Sequence, residues 1–189
     1  MLRRPMIARF LILAAAALLA ACSDSRPPAG APVGGDFVLQ SAAGPFDTKV
    51  HRGKVLLVYF GYANCPDICP ASLSYGGQAL NKLSAAERER VRLVMVSVDP
   101  ERDTPERLKE YTAFFHPEMI GVTGTAQEIE NVAKLFGAGY VRQPTRPDGS
   151  YAVDHSSQTY VVAPDGKPAA RLDLGTPVDK IVDAVRKLL

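Results

Sequence analysis

Two short apolar runs constrain the fold most. Lys54–Phe60 (KVLLVYF) and Val91–Val98 (VRLVMVSV) show no alternation of apolar and polar residues, and β-branched or aromatic side chains fill them. Each is too short for a helix buried on all sides, so both read as strands covered on both faces, as in the middle of an α/β sheet. Between them, Pro70–Leu83 (PASLSYGGQALNKL) predicts a helix. Pro70 suits its first turn, where the missing N–H would have no partner, while Gly76 and Gly77 weaken its interior. A right-handed strand–helix–strand crossover makes the two strands parallel.

The pattern continues downstream. Asp103–Phe115 predicts a helix with Thr104 as N-cap and Pro105 at the first position. Thr125–Gly137 predicts another, with Thr125 and Glu128 as a capping box and Gly137 as the stop. Ser157–Leu174 reads as a hairpin turning at Asp165–Gly166, and Thr176–Leu189 as an amphipathic closing helix. The chain is 47% hydrophobic over 189 residues, enough for one α/β domain with a core of its own.

The first residues do not fit that domain. Arg3, Arg4 and Arg9 precede an apolar stretch from Phe10 to Ala21, and small residues then lead to Cys22. This is the layout of a secretory signal, and the stretch is shorter than the roughly 20 residues that span a bilayer. An uncleaved anchor is the alternative. A mitochondrial presequence would be amphipathic rather than a block of Ala and Leu. "LAAC" (Leu19–Cys22) resembles a bacterial lipobox, in which the cysteine is lipidated. The expected organisation is a signal peptide over 1–21, a lipidated Cys22 with a Pro/Gly/Ala/Ser-rich tether over 22–35, and a folded domain over 36–189. The expected location is the bacterial cell envelope, membrane-anchored with the soluble domain in the periplasm. Lys and Arg number 22 against 20 Asp and Glu, and loss of Arg3, Arg4 and Arg9 leaves 19 against 20. No basic patch argues for nucleic acid.

If Cys22 carries lipid, Cys65 and Cys69 are the thiols of the folded domain. They lie in "YFGYANCPDICP" (Tyr59–Pro70), between the carboxyl end of a strand and the start of a helix. Reactive groups favour that place in open α/β sheets, and a helix N-terminus favours a thiolate. Nucleophilic attack and metal ligation gain equally, so a redox pair and a metal clamp both remain open. The four-residue spacing helps a little. In a helical turn the Cβ atoms would be about 5–6 Å apart, against roughly 3.5–4.5 Å in a disulfide. A soft metal bridged by two sulfurs tolerates the wider gap, although Pro66 makes a regular turn doubtful. Two thiolates suit Cu(I), and an added imidazole extends the site to Cu(II). Of the three histidines, His51 and His116 read as surface or capping residues. His155 directly precedes an apolar strand that could carry it over the sheet edge. Asp99 and Asp103 (DPERDTP) read as a turn residue and a helix-start residue rather than a hard-metal pair.

Together, "YFGYANCPDICP", "VSVDPERDTPERL", "GVTGT" and "YAVDHSSQTYVV" resemble the Sco/SenC family over about Gly35 to Leu174. The resemblance implies a thioredoxin-like three-layer fold, a central mixed sheet flanked by helices. It implies a metallochaperone that binds copper, as Cu(I) and Cu(II), through Cys65, Cys69 and His155. Its cargo would go to the CuA-bearing subunit of cytochrome c oxidase. Another copper chaperone or a thiol reductant would be a further partner. The rival role is a thiol–disulfide reductase with Cys65 and Cys69 as the catalytic pair, keeping the CuA cysteines reduced. Asp154, beside His155, is a candidate for orienting the imidazole. Ala63 departs from the threonine that many members carry.

Mature protein should begin at a lipid-modified Cys22, and Cys22→Ala should release the domain from the membrane. Intact-mass analysis showing a Met1 or Leu2 start would overturn this expectation.

Overall fold

The protein is described by a computed structural model, over residues 34–189. The expected signal segment, Cys22 and most of the expected tether lie outside the described residues. Strand β3 (Val55–Gly61) is buried at every position, and β4 (Val91–Ser97) at every position but Arg92. They pair in parallel from Val55↔Val91 to Gly61↔Ser97. Helix α1 (Ile68–Lys82) and the short helix α2 (Ala85–Glu89) form the crossover between them.

β3 and β4 are the centre of a five-stranded sheet. β5 (Ile120–Val122) runs parallel to β4 on one side. On the other, β8 (Thr159–Val162) is antiparallel to β3, and β9 (Pro168–Leu172) is antiparallel to β8. Two small ladders stand outside this sheet. One is a hairpin of β1 (Val38–Ser41) and β2 (Gly44–Asp47), and the other pairs β6 (Tyr140–Arg142) with β7 (Val153–His155).

Alternation along β3 shows why both faces are apolar. Tyr59 points to the α1 side, where it lies beside Ser72 and Cys69. Phe60 points the other way, with its ring 5.7 Å from Phe136 of helix α4 (Ala126–Phe136) and 5.8 Å from Tyr160. Helix α3 (Pro105–Ala113) packs beside β5, with Leu108 against Gly121. The last helix, α5 (Val178–Arg186), lies along α1. This is the expected α/β architecture, a thioredoxin-like mixed sheet flanked by helices.

Local signals hold at several ends. Thr104 accepts from the Arg107 N–H with Pro105 opening α3. Thr125 and Glu128 form the reciprocal capping box of α4, and Gly137 ends it at φ 62°. The turn of the β8–β9 hairpin sits at Asp165–Gly166. Other features differ from the expectation. α1 begins at Ile68, two residues before Pro70, because a proline anywhere in the first turn forfeits no intrahelical bond. The strands β1, β2, β5, β6 and β7, of three or four residues each, are too short for a periodic signal.

Gly76 and Gly77 prove to be contact points. A Cβ at Gly76 would strike the Leu93 side chain of β4, and one at Gly77 would sit 2.6 Å from the Phe115 carbonyl oxygen. The absence of side chains lets α1 settle against the sheet and the end of α3. Gly77→Ala should therefore destabilise the metal-free protein by about 1–3 kcal/mol despite better helix propensity, because the obstacle is backbone. Gly139→Ala, where a Cβ meets nothing within 4 Å, serves as the near-neutral control. Urea unfolding of both variants checks this.

Candidate metal centre

Past Gly61, at the carboxyl end of β3, the chain turns through Tyr62–Asp67 and enters α1. Cys65 lies in that turn, and Cys69 is the second residue of the helix. No side-chain hydrogen bond caps the helix at Asp67. Instead the Asp67 and Cys69 N–H groups face the Cys65 sulfur. A sulfur in that position is favoured as thiolate by the free N–H groups and the positive end of the helix.

The two thiols are driven in opposite directions. A hydrogen bond from Cys69 holds the Cys65 thiol well below its usual range, against an opposing burial effect. The same bond, together with burial, pushes Cys69 far up. Exposure runs in the same direction, at 9% for Cys65 and 0% for Cys69. Both cysteines are free of disulfide.

His155 comes from the last position of β7. Its Nε2 lies 3.2 Å from the Cys69 sulfur, and one donor atom from each of Cys65, Cys69 and His155 falls within 4.8 Å of the others. Its Nδ1 lies 2.9 Å from the Ser156 carbonyl oxygen. A carbonyl can only accept, so Nδ1 carries the proton and Nε2 turns a lone pair toward the sulfurs. The imidazole stands edge-on to two tyrosines, with ring centroids 6.1 Å from Tyr59 and 5.8 Å from Tyr62. A Cβ at Gly61 would come within 2.8 Å of the Cys69 sulfur and the Tyr59 ring, so only glycine ends β3 here without displacing the site.

Asp154 does not orient the imidazole. Neighbouring residues of a strand point to opposite sides, and the exposed Asp154 carboxylate accepts from Gln143 Nε2 at 2.6 Å. The Ser156 carbonyl fills the role instead. His51 stacks on Phe46 at 4.6 Å, and the buried His116 accepts from the Glu118 N–H at 3.1 Å. Neither belongs to the Cys–Cys–His group.

Asp99 and Asp103 do occupy a turn, closed by the Asp103 N–H donating to the Asp99 carbonyl, and Asp103 precedes the cap of α3. Both carboxylates are nevertheless buried, at 3% and 1% exposure. Asp103 accepts from the Ala63 N–H at 3.0 Å and from the Ser97 hydroxyl at 2.7 Å. Its burial raises its pKa, opposed by those two hydrogen bonds. It thereby ties the cysteine turn to the end of β4, and Arg107 reinforces the tie by donating to Asn64 Oδ1 at 2.7 Å. Two aspartates directly after a buried strand were the available signal for this role.

Two sulfurs and one imidazole nitrogen make a donor set for a soft or borderline metal ion. The favoured Cys65 thiolate is equally a nucleophile for disulfide exchange.

Known proteins were compared with the chain. The family model described as SCO1/SenC matches residues 25–189. Protein SCO1, mitochondrial, of Saccharomyces cerevisiae is 39% identical over 160 residues, covering 82% of this chain and 54% of the yeast protein. The chain thus spans little more than half the length of that relative. The structure of Bradyrhizobium japonicum ScoI with copper bound superposes with a TM-score of 0.76 at 32% identity, covering 83% of this chain and 99% of that one. BsSco, in which a disulfide switch was identified and which is described as a member of the Sco family of cytochrome c oxidase assembly proteins, gives 0.66 at 32% identity, covering 84% and 94%.

The thiol asymmetry predicts selective alkylation. Reduced, metal-free protein at pH 6 should react with iodoacetamide first at Cys65, at a pH where an ordinary thiol of pKa about 8.5 is almost wholly protonated. Peptide mapping that finds Cys69 labelled first would contradict the assignment.

Proposed function

The chain belongs to the SCO1/SenC family, and on that premise we propose that it is a membrane-tethered copper metallochaperone. Cys65, Cys69 and His155 bind copper, and the CuA-bearing subunit of cytochrome c oxidase receives it. The observation that carries this reading is the lone pair of His155 Nε2, fixed by the Ser156 carbonyl and aimed at two reduced sulfurs. The copper-bound Bradyrhizobium relative and the oxidase-assembly description of BsSco support the cargo and the destination. Lipid on Cys22 would hold the domain at the periplasmic face of a membrane. No helix among the described residues is long and apolar enough to cross one.

Copper is the cargo here, so the site must release it as well as bind it. Both sulfurs must be deprotonated to hold Cu(I), so uptake should release protons and weaken in acid. His155 is half-buried and borders an open, shallow surface formed by Tyr140, Val141, Asp154 and Gln158. An incoming donor can approach from that side and displace the imidazole before the sulfurs, which lie deeper.

The disulfide switch of BsSco favours a second reading, a thiol–disulfide reductase. In it the Cys65 thiolate attacks a partner disulfide and releases one partner thiolate. Cys69, deprotonated, then attacks Cys65 of the mixed disulfide and releases the second. The pair ends oxidised, and a thiol reductant must reset it.

Metal analysis separates the two. Cys69→Ser should abolish tight Cu(I) binding, because a hydroxyl is a hard, poor ligand for a soft ion. His155→Ala should keep Cu(I) under reductant and lose the thiolate-to-copper absorption of the Cu(II) complex. In cells given little copper, His155→Ala should fail to assemble CuA while its disulfide-reducing activity persists. Normal assembly in that strain would promote the reductase instead.

A further inference from the structure

The imidazole sits on a poor foundation. β6 and β7 form a two-stranded ladder of three residue pairs, outside the main sheet. An isolated two-stranded hairpin is at best marginally stable in water. The position of His155 therefore depends on what pins the hairpin and the loop that closes it.

Arg102 is the principal pin. It belongs to the turn after β4, where its backbone N–H donates to the Asp99 carbonyl. Its Nη1 donates to the Tyr151 carbonyl at 3.0 Å, and its guanidinium lies 3.5 Å from the centroid of the Tyr151 ring. Its Nε pairs with one oxygen of the buried Asp99 carboxylate, and the other accepts from the Tyr151 hydroxyl at 2.7 Å. The guanidinium also lies 5.6 Å from the Tyr62 ring centroid. Tyr62 in turn faces His155 and accepts from the Val153 N–H at 3.3 Å. Arg102 Nη2 is buried without a hydrogen-bond partner, a cost met here by the two aromatic faces.

The same short turn thus reaches both halves of the centre. Asp103 holds the cysteine side through Ala63, and Arg102 holds the histidine side through Tyr151 and Tyr62. We propose that Arg102, clasped to Asp99 and Tyr151, is the positioning residue for His155, setting the distance of its Nε2 from the two sulfurs. The inference rests on the copper reading for its metal readout, and it has a metal-free readout of its own.

Arg102→Gln removes the charge and the fork but keeps a polar side chain. It should weaken Cu(II) binding by about tenfold or more, as expected for loss of a group that orients a ligand. Its thiolate-to-copper absorption should fall toward that of His155→Ala. Cu(I) affinity under reductant should stay within about threefold, since two thiolates satisfy that ion. Arg102→Lys, which keeps charge without the planar fork, should fall between. In a His155→Ala background Arg102→Gln should add nothing further to the Cu(II) loss, because it acts through the ring. In metal-free protein, amide exchange at Gln143, Val153 and Ser156 should speed up in Arg102→Gln while Cys65 and Cys69 amides stay protected. Tyr151→Phe, which loses only the hydroxyl bond to Asp99, should shift the same observables in the same direction by less, and it carries the test if Arg102→Gln does not fold. Wild-type Cu(II) behaviour and wild-type exchange in folded Arg102→Gln or Tyr151→Phe would overturn the proposal. Faster hairpin exchange in a protein that takes up no copper at all would keep the clasp and sink the copper reading alone.

Discussion

Gly61 pairs with Ser97 at the carboxyl end of the β3–β4 ladder, and the parts of the centre depart from that pair. Because the strands are parallel, the turn that carries Cys65 and the turn that carries Asp99, Arg102 and Asp103 emerge at the same end of the sheet. An antiparallel pair would have sent one of them to the opposite end. Parallel pairing in turn requires a crossover, and α1 supplies it while offering its N-terminal N–H groups to Cys65. The Val98 N–H donates to the Gly61 carbonyl at 2.8 Å and carries the pairing one step past the strand ends.

The centre combines a firm half with a loosely supported one. The sulfurs are set by elements that the core cannot do without: a fully buried strand, a fifteen-residue helix, and a carboxylate at 1% exposure that joins the two turns. The imidazole is carried by three residues of ladder and a clasp of charged and aromatic groups. That division would suit the proposed role, in which the site holds copper and also surrenders it. The sulfurs can stay where they are while the third donor moves aside, at the cost of contacts made by one hairpin rather than by the core.

Ion pairs on the surface contribute little beside this. The Lys82–Asp179 and Arg186–Glu87 contacts join α5 to the α1–α2 region, yet both lie at the surface, where water and salt screen them. The Asp99–Arg102 pair differs because Asp99 is almost wholly buried, so removing the arginine would leave a buried carboxylate without its cation.

Much of the frame was legible in the sequence because its signals are local. The unbroken apolar runs marked β3 and β4, Thr104–Pro105 and Thr125–Glu128 fixed two helix starts, and Gly137 and Asp165–Gly166 marked an end and a turn. Cys65 and Cys69 were visible as a pair beside a helix N-terminus for the same reason. Their union with His155 was not local: 86 residues separate Cys69 from it. Residue types alone left the histidine open, and only the resemblance named it. The short strands β6 and β7 and the burial of Asp99 and Asp103 have no local signal, because three residues carry no period and a turn sequence does not say what will cover it. Tertiary structure decided the tautomer of His155, since the Ser156 carbonyl rather than Asp154 meets its Nδ1. It also decided which thiol is lowered and which is raised, since that depends on which sulfur the helix N–H groups face and which one the core encloses.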